Sequence, residues 1–317
     1  MADILTLGEL LIDLTQKGTD ENGCGLFTAF PGGAPANVAV AAARLGASTG
    51  FIGKVGNDAF GKALADTLKK EGVDTTGLYV SDDVPTTLAI VAVDETGERE
   101  FSFYRSPGAD TQLTQEEAVA AVNNGGSKPL ILHVGSLSLT TSPSREACAA
   151  AVKAAKEQGV LISYDPNYRA ALWDSEEKAI EMMKALLPYA DVLKVSDEEM
   201  VMLTGTSDNE EGSRILADYG ISLVLVTLGA DGVFVRCGDN TETVPGFSVT
   251  VADTNGAGDT FFGAMLMQLA AKMKSDNPEL TFEDLHNYVV YANKAASITC
   301  SRSGAIPAMP RAEEVTI

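Results

Sequence analysis

Residues 253–273 read DTNGAGDTFFGAMLMQLAAKM. A glycine-rich turn opens directly into an apolar helix. Small residues at 256–258 let consecutive backbone N–H groups face a ligand without side-chain obstruction, at the positive end of the helix dipole, which makes a site for an anion. Asp259 stands oddly there, because a carboxylate beside an anion hole is electrostatically costly. It has two readings: a general base that takes a proton from a hydroxyl attacking a phosphoryl group, or an acid in the first helical turn favoured by the dipole. Spacing alone leaves both open.

Outward from this turn, apolar strand-like runs alternate with amphipathic helical ones along nearly the whole chain, the pattern of a parallel sheet in an α/β fold. Strands are expected near Ile4–Gly8, Phe51–Val55, Leu130–Val134, Val160–Tyr164, Val192–Val195 and Leu223–Thr227. Helices over Asp58–Glu71 and Arg145–Gln158 stop at Gly72 and Gly159. Two places break the alternation. Residues 84–106 hold two strand-like runs joined by a turn at Asp94–Glu98, and Thr15–Phe30 lacks a helical period. Two such insertions, with no Pro/Ser-rich linker, predict one core over 1–317 with a small β lid built from about 10–36 and 84–108.

The 317 residues carry 23 Lys and Arg against 44 Asp and Glu, a net charge of −21. That field repels phosphate backbones and anionic lipid, so neither nucleic acid nor membrane is the expected partner. Apolar stretches fall far short of the ~20 residues that span a bilayer. An N-terminus without a basic region, four widely spaced cysteines and no glycosylation sequon predict reduced thiols and a cytoplasmic location. With two histidines, His133 and His286, an imidazole-rich metal centre is impossible, and both sit where a structural role is expected.

Two motifs mislead. Gly46-Ala-Ser48-Thr-Gly50 matches the G-x-S-x-G of hydrolases, but it follows a helix and precedes a strand, the reverse of a nucleophile elbow. Gly56–Ala63 approximates a phosphate-binding P-loop. Ala63 lacks the hydroxyl that motif places on Mg²⁺, and Asp58 puts a carboxylate where phosphates must sit, so a capped helix start with a surface Lys62 is expected. A second glycine cluster, Pro31-Gly32-Gly33-Ala-Pro-Ala-Asn37, permits close backbone approach, and Asn37 can donate to and accept from a polyhydroxyl ligand. Asp13 and Arg105 are further polar groups at element ends.

Taken together, PGGAPANVAVAAARLG and DTNGAGDTFFGAML, about 220 residues apart, resemble the two signature regions of the ribokinase-like (PfkB) carbohydrate kinases. FIGKVGNDAFG, REFSFYRSPGAD, SYDPNYRAALW, LKVSDEEMVMLTG, LVTLGADG and RSGAIPAMP resemble the fructokinases among them, over about residues 4–310. The resemblance implies a mostly parallel sheet flanked by helices with a β lid, and ATP-dependent phosphorylation of a sugar hydroxyl, D-fructose to fructose 6-phosphate; ribose and 2-keto-3-deoxygluconate are alternative acceptors. A non-catalytic interaction protein on the kinase fold is the rival from another class.

Residue by residue, the resemblance makes Asp259 the base and the amides of Gly256, Ala257 and Gly258 the anion hole. It places Asp13, Gly32, Gly33, Asn37 and Arg105 on the sugar. Thr227, Gly229, Gly258 and Asn293 fall on the nucleotide, with Lys194 and Arg169 as phosphate cations. Mg²⁺ comes with ATP. Ser196 replaces the Asn of the family's N-x-x-E motif, which leaves Glu199 to act on Mg²⁺ through water. Asp253, Asn255, Thr299, Arg302 and Gly304 match a K⁺ loop, although Ala308 lacks a hydroxyl sometimes found there. The family also forms homodimers through the lid.

Overall fold

The structure, a computed structural model, describes residues 2–93, 99–123 and 128–317, with backbone alone for 91–93 and 99–101. The turn expected at 94–98 lies outside the described residues.

In chain order the strands are β1 (Ile4–Leu7), β2 (Leu11–Thr19), β3 (Gly25–Gly32), β4 (Thr49–Gly56), β5 (Asp74–Ser81), β6 (Leu88–Val93), β7 (Arg99–Tyr104), β8 (Ile131–Gly135), β9 (Leu161–Asp165), β10 (Val192–Ser196), β11 (Leu223–Thr227), β12 (Val233–Cys237) and β13 (Asn240–Val244). The helices are α1 (Ala34–Arg44), α2 (Ala59–Lys70), α3 (Gln115–Asn123), α4 (Ser144–Glu157), α5 (Glu176–Leu186), α6 (Asp197–Thr204), α7 (Asn209–Ala217), α8 (Ala257–Met273) and α9 (Phe282–Cys300). The six expected strands are β1, β4, β8, β9, β10 and β11, within a few residues at each end.

The large sheet runs β13-β12-β11-β10-β9-β8-β1-β4-β5, parallel from β11 to β5, with β12 and β13 antiparallel at one edge. Its central strands are apolar on both faces because both are covered. Ile4, Ile131, Val192 and Leu223 pack toward α1, α8 and α9, while Leu132, Leu193 and Val224 pack toward the layer that includes α4 and α5. Mostly apolar runs made these strands legible, although Thr6, His133, Ser163 and Lys194 are buried polar exceptions within them. The chain leaves β1 toward β4 on one side and returns at β8 on the other, so the order reverses between β1 and β8. Ligands of open α/β sheets bind at the carboxyl ends of the strands at such a point.

Strands β2, β3, β6 and β7 form a separate sheet in the order β3-β2-β6-β7. The stretch without helical period is therefore the β2–β3 hairpin. Gly46–Ser48 lie in the connection from α1 to β4, and Asp58 caps α2 by accepting from the Gly61 amide, the contexts expected for both misleading motifs. The four thiols are free, and among the described residues no helix is long and apolar enough to cross a membrane.

Helix α8 is buried on nearly all sides for its first three turns, and it crosses α1 at Gly263. A Cβ there would lie 2.7 Å from Ala41 Cβ and 2.9 Å from the Val38 carbonyl oxygen. Gly263→Ala should therefore destabilise by about 1–3 kcal/mol through overpacking, despite the better helix propensity of alanine. A lowered midpoint in thermal unfolding checks this, and an unchanged one would show that the two helices can separate at no cost.

Candidate active site

The ends of β1, β8 and β9 and the N-termini of α1 and α8 surround a cavity of about 310 Å³. Its lining includes Glu9, Asp13, Gly33, Asn37, Arg105, Asn167, Arg169, Asn255, Gly256 and Asp259. Sequence positions more than 200 residues apart meet here because α1 packs on α8. Pro35 near the start of α1 supplies no amide where none could be used, and Gly33 precedes the helix with φ 111°.

Asn37 Nδ2 donates to Asp259 Oδ2 at 2.8 Å, and Asn167 Nδ2 donates to Asp259 Oδ1 at 3.4 Å. Burial pushes the Asp259 carboxyl up to about 6, helped by the negative charge of Asp165 and opposed by the Asn37 amide, Lys194 and Arg169. An acid that merely served the helix dipole would sit in solvent with a low pKa. Asp259 is instead 8% exposed and poised near neutrality.

Gly256 caps α8 in the left-handed region at φ 75°, and a Cβ there would also stand 2.9 Å from Ala305 Cβ, so glycine is required twice over. The Ala257 amide reaches back to the Thr254 carbonyl at 3.3 Å. The Gly256 and Gly258 amides have no acceptor among the described residues and stay open to an anion. Beside them, Lys194 Nζ would be 3.4 Å from a Cβ on Gly258 and pairs with Asp165 Oδ2 at 2.7 Å. Burial disfavours the ammonium, but Asp165 and Glu199 outweigh it and hold Lys194 above its ordinary value.

On the opposite wall, the Asp13 carboxyl stands over Gly32, where a Cβ would lie 2.3 Å from Asp13 Oδ2. Burial raises Asp13 to about 6, with Arg169 pulling it down. Burial likewise lifts Glu9 to about 7, offset by the amides of Glu9 and Ala34. The Arg105 guanidinium lies at the end of β7 but is held by groups of the large layer: Asp110 Oδ2, Thr140 Oγ1 and the Leu137 carbonyl.

Thr227, Gly229 and Asn293 are apart from this cavity, around the ends of β11 and β13. Thr227 Oγ1 donates to the Val195 carbonyl at 3.3 Å, and Asn293 Nδ2 donates to the carbonyls of Val244 and Pro245. Glu199 has both oxygens engaged by backbone amides, Oε1 by Tyr168 and Oε2 by Ser196. Burial first, then Asp165, raises its pKa. Ser196 and Glu199 form a capping box that starts α6. Among the described residues no group of three or more His, Cys, Asp or Glu could hold a metal. In the segment expected to form a K⁺ loop, Asp253 Oδ1 accepts from the Asn255 amide and Oδ2 from the Gly304 amide, and the Ala252 and Asp253 amides donate to the Cys300 carbonyl. Thr299 Oγ1 bonds Thr260 Oγ1 at 2.9 Å, and Arg302 pairs with Glu314. His133, next to Ser163 and Phe262, and His286, paired with Glu242, do not line the cavity.

Four site residues were not singled out from sequence: Glu9, Asp110, Asp165 and Asn167. Only Asn167 carried a local signal. It follows Asp-Pro and adopts φ 48°, left-handed backbone that Asn tolerates better than most residues.

Residues 1–312 match the pfkB family carbohydrate kinase pattern. Fructokinase-2 of Oryza sativa subsp. japonica is 42% identical over 310 residues, covering 97% of this chain and 90% of its own. The ATP-bound fructokinase of Xylella fastidiosa superposes with a TM-score of 0.88 at 33% identity, covering 99% of this chain and 97% of its own. A double-mutant fructokinase of Vibrio cholerae O395, in its fructose-, ADP- and potassium-bound form, gives 0.87 at 35%, with 98% and 96% covered. With the family pattern matched over residues 1–312 and a relative 42% identical over 310 residues, the chain belongs to the pfkB family of carbohydrate kinases.

Proposed function

We propose that the protein is a fructokinase that transfers the γ-phosphoryl group of MgATP to D-fructose, giving fructose 6-phosphate and ADP. The observation that carries this is the buried Asp259 carboxyl, oriented by two carboxamides and set one residue after open amides at a helix N-terminus. Asp259 accepts the proton of the terminal sugar hydroxyl as that oxygen attacks phosphorus, and the Gly256 and Gly258 amides face the charge that develops. Phosphoryl transfer depends on positioning and electrostatics, so a dry pocket also suppresses transfer to water. Mg²⁺ bound with ATP neutralises phosphate charge; the only residue matched to it, Glu199, has its oxygens on amides and fits a contact through water. The K⁺ loop fits a cation held by backbone carbonyls, since the Asp253 carboxylate already serves two amides.

The charges favour a neutral sugar over a sugar acid. Glu9, Asp13 and Asp259 face the cavity, and the Arg105 charge is already answered by Asp110, which leaves Arg169 as the cation that Asp13 and Asp259 share. Thr227, Gly229 and Asn293 lie where the sheet would present the nucleoside, and Lys194 and Arg169 where it would present phosphates. The chain acts as one unit over 1–317 in the cytoplasm, with the small sheet as its lid. Leu26 and Phe27, about half exposed on the edge strand β3, suit contact with a second lid.

ADP release measured with a panel of sugars, with and without K⁺, tests the proposal. Fructose should be the best acceptor and K⁺ should raise turnover; a poor response to fructose beside a good one to another sugar would move the substrate and keep the kinase. No turnover with any sugar would favour a non-catalytic interaction protein.

Asp259→Asn should lower kcat by about 10²- to 10⁴-fold. Wild-type turnover in that variant would refute the base. The base must be ionised, so kcat/KM should fall about tenfold per pH unit below about 6. The folded protein holds the Asp259 proton more tightly than the unfolded chain does, so this group costs stability as pH rises from about 4 to about 6. Asp259→Asn should therefore be at least as thermostable as wild type above pH 6, and a lower melting temperature there would assign Asp259 to folding instead.

A further inference from the structure

Both roots of the β6–β7 hairpin converge on one buried side chain. Thr87, just before β6, donates its hydroxyl to Asp110 Oδ1. Arg105, just after β7, brings Nε to 2.7 Å and Nη2 to 2.6 Å from Asp110 Oδ2. The Asp110 side chain is 1% exposed and that of Arg105 6%. Asp110 itself belongs to a short 3₁₀ turn, Ala109–Gln112, packed on β4 of the large sheet. The approach is close throughout: the Ala109 amide donates to the Pro85 carbonyl at 2.9 Å, and a Cβ on Gly108 would lie 1.8 Å from Thr87 Oγ1. The same clamp reaches the second hairpin, since the Ile12 amide of β2 donates to the Thr87 carbonyl at 3.2 Å.

Arg105 needs this partner for a geometric reason. Its guanidinium lines the sugar cavity, with Nη1 on Thr140 Oγ1 at 2.8 Å and Nη2 on the Leu137 carbonyl at 2.9 Å. A guanidinium is a rigid fork, so two contacts to one carboxylate fix both the position and the plane of the group. A buried ion pair adds little net stability compared with apolar packing, which makes fixed geometry the better account of its presence here.

We propose that Asp110 is a positioning residue that holds Arg105 at the sugar pocket and anchors both roots of the lid hairpin, so that lid and sugar contact move as one body. The sugar half of this rests on the function proposed above. The anchoring half does not, and the two are read by different measurements.

With the sugar that wild type phosphorylates best, Asp110→Asn should raise sugar KM by about tenfold or more, the scale of a lost hydrogen bond to a charged group. ATP KM should stay within about twofold. Arg105→Ala should raise sugar KM similarly, and adding Asp110→Asn to it should change KM by less than about twofold, because partners in one network are not additive. Unchanged sugar KM in Asp110→Asn, or effects that multiply in the double variant, would overturn the positioning role. Hydrogen exchange needs no substrate. In Asp110→Asn, amides at 86–89 and at 103–106 and 108 should both exchange faster while β8–β11 stay protected; in Thr87→Val, only the 86–89 root should. A rise confined to neither root, or spread evenly over the chain, would overturn the anchor. The Thr87→Val arm decides the point even where Asp110→Asn does not fold. A wild type that phosphorylates no sugar would sink the proposed function and leave the exchange result to decide the anchor.

Discussion

Burying a carboxyl group without neutralising it permanently is the constraint around which the rest of this molecule is arranged. Burial raises Asp259 to about 6, and the Asn37 amide with the Lys194 and Arg169 charges keeps it from rising further. Asn37 from α1 and Asn167 from the loop after β9 donate to its two oxygens. Each depends on something larger. Asn37 is in reach because Gly263 lets α1 and α8 touch backbone to backbone. Asn167 is in reach because Asp165, paired with Lys194, accepts its backbone amide and holds the loop in a left-handed turn.

The same reasoning explains how a chain of net charge −21 can hold a polyanion. The global field opposes phosphate, and in the function proposed above it is answered locally, by open amides at the start of α8, the Lys194 ammonium beside Gly258, and Arg169. These act over a few ångströms in a partly desolvated space, whereas the surface charge is screened within about 10 Å at moderate salt.

The cations near the cavity differ in freedom, and that difference was invisible in the sequence. Arg105 and Arg169 look alike as isolated positively charged residues. Folding gives Arg105 a carboxylate of its own and a rigid seat, while Arg169 stays exposed, its Nη1 on the neighbouring Tyr168 carbonyl and its charge felt by both Asp13 and Asp259. Asp110 and Glu9 went unremarked for the converse reason. An acid in SPGAD or GELLID reads as a surface or turn residue until burial shows otherwise.

What the chain alone determined was everything local. The apolar runs of β1, β4 and β8–β11, the glycine stops of the helices, the helix-opening GAGD turn and the lack of helical period at 15–30 follow from backbone sterics and from the need to bury strands on both faces. What only the tertiary structure decided was proximity: Asn37 against Asp259 across 222 positions, Lys194 against Gly258, and two lid roots on Asp110. Such contacts depend on how separate elements pack, and it is packing that strips water from the Asp259 carboxyl and raises it to about 6.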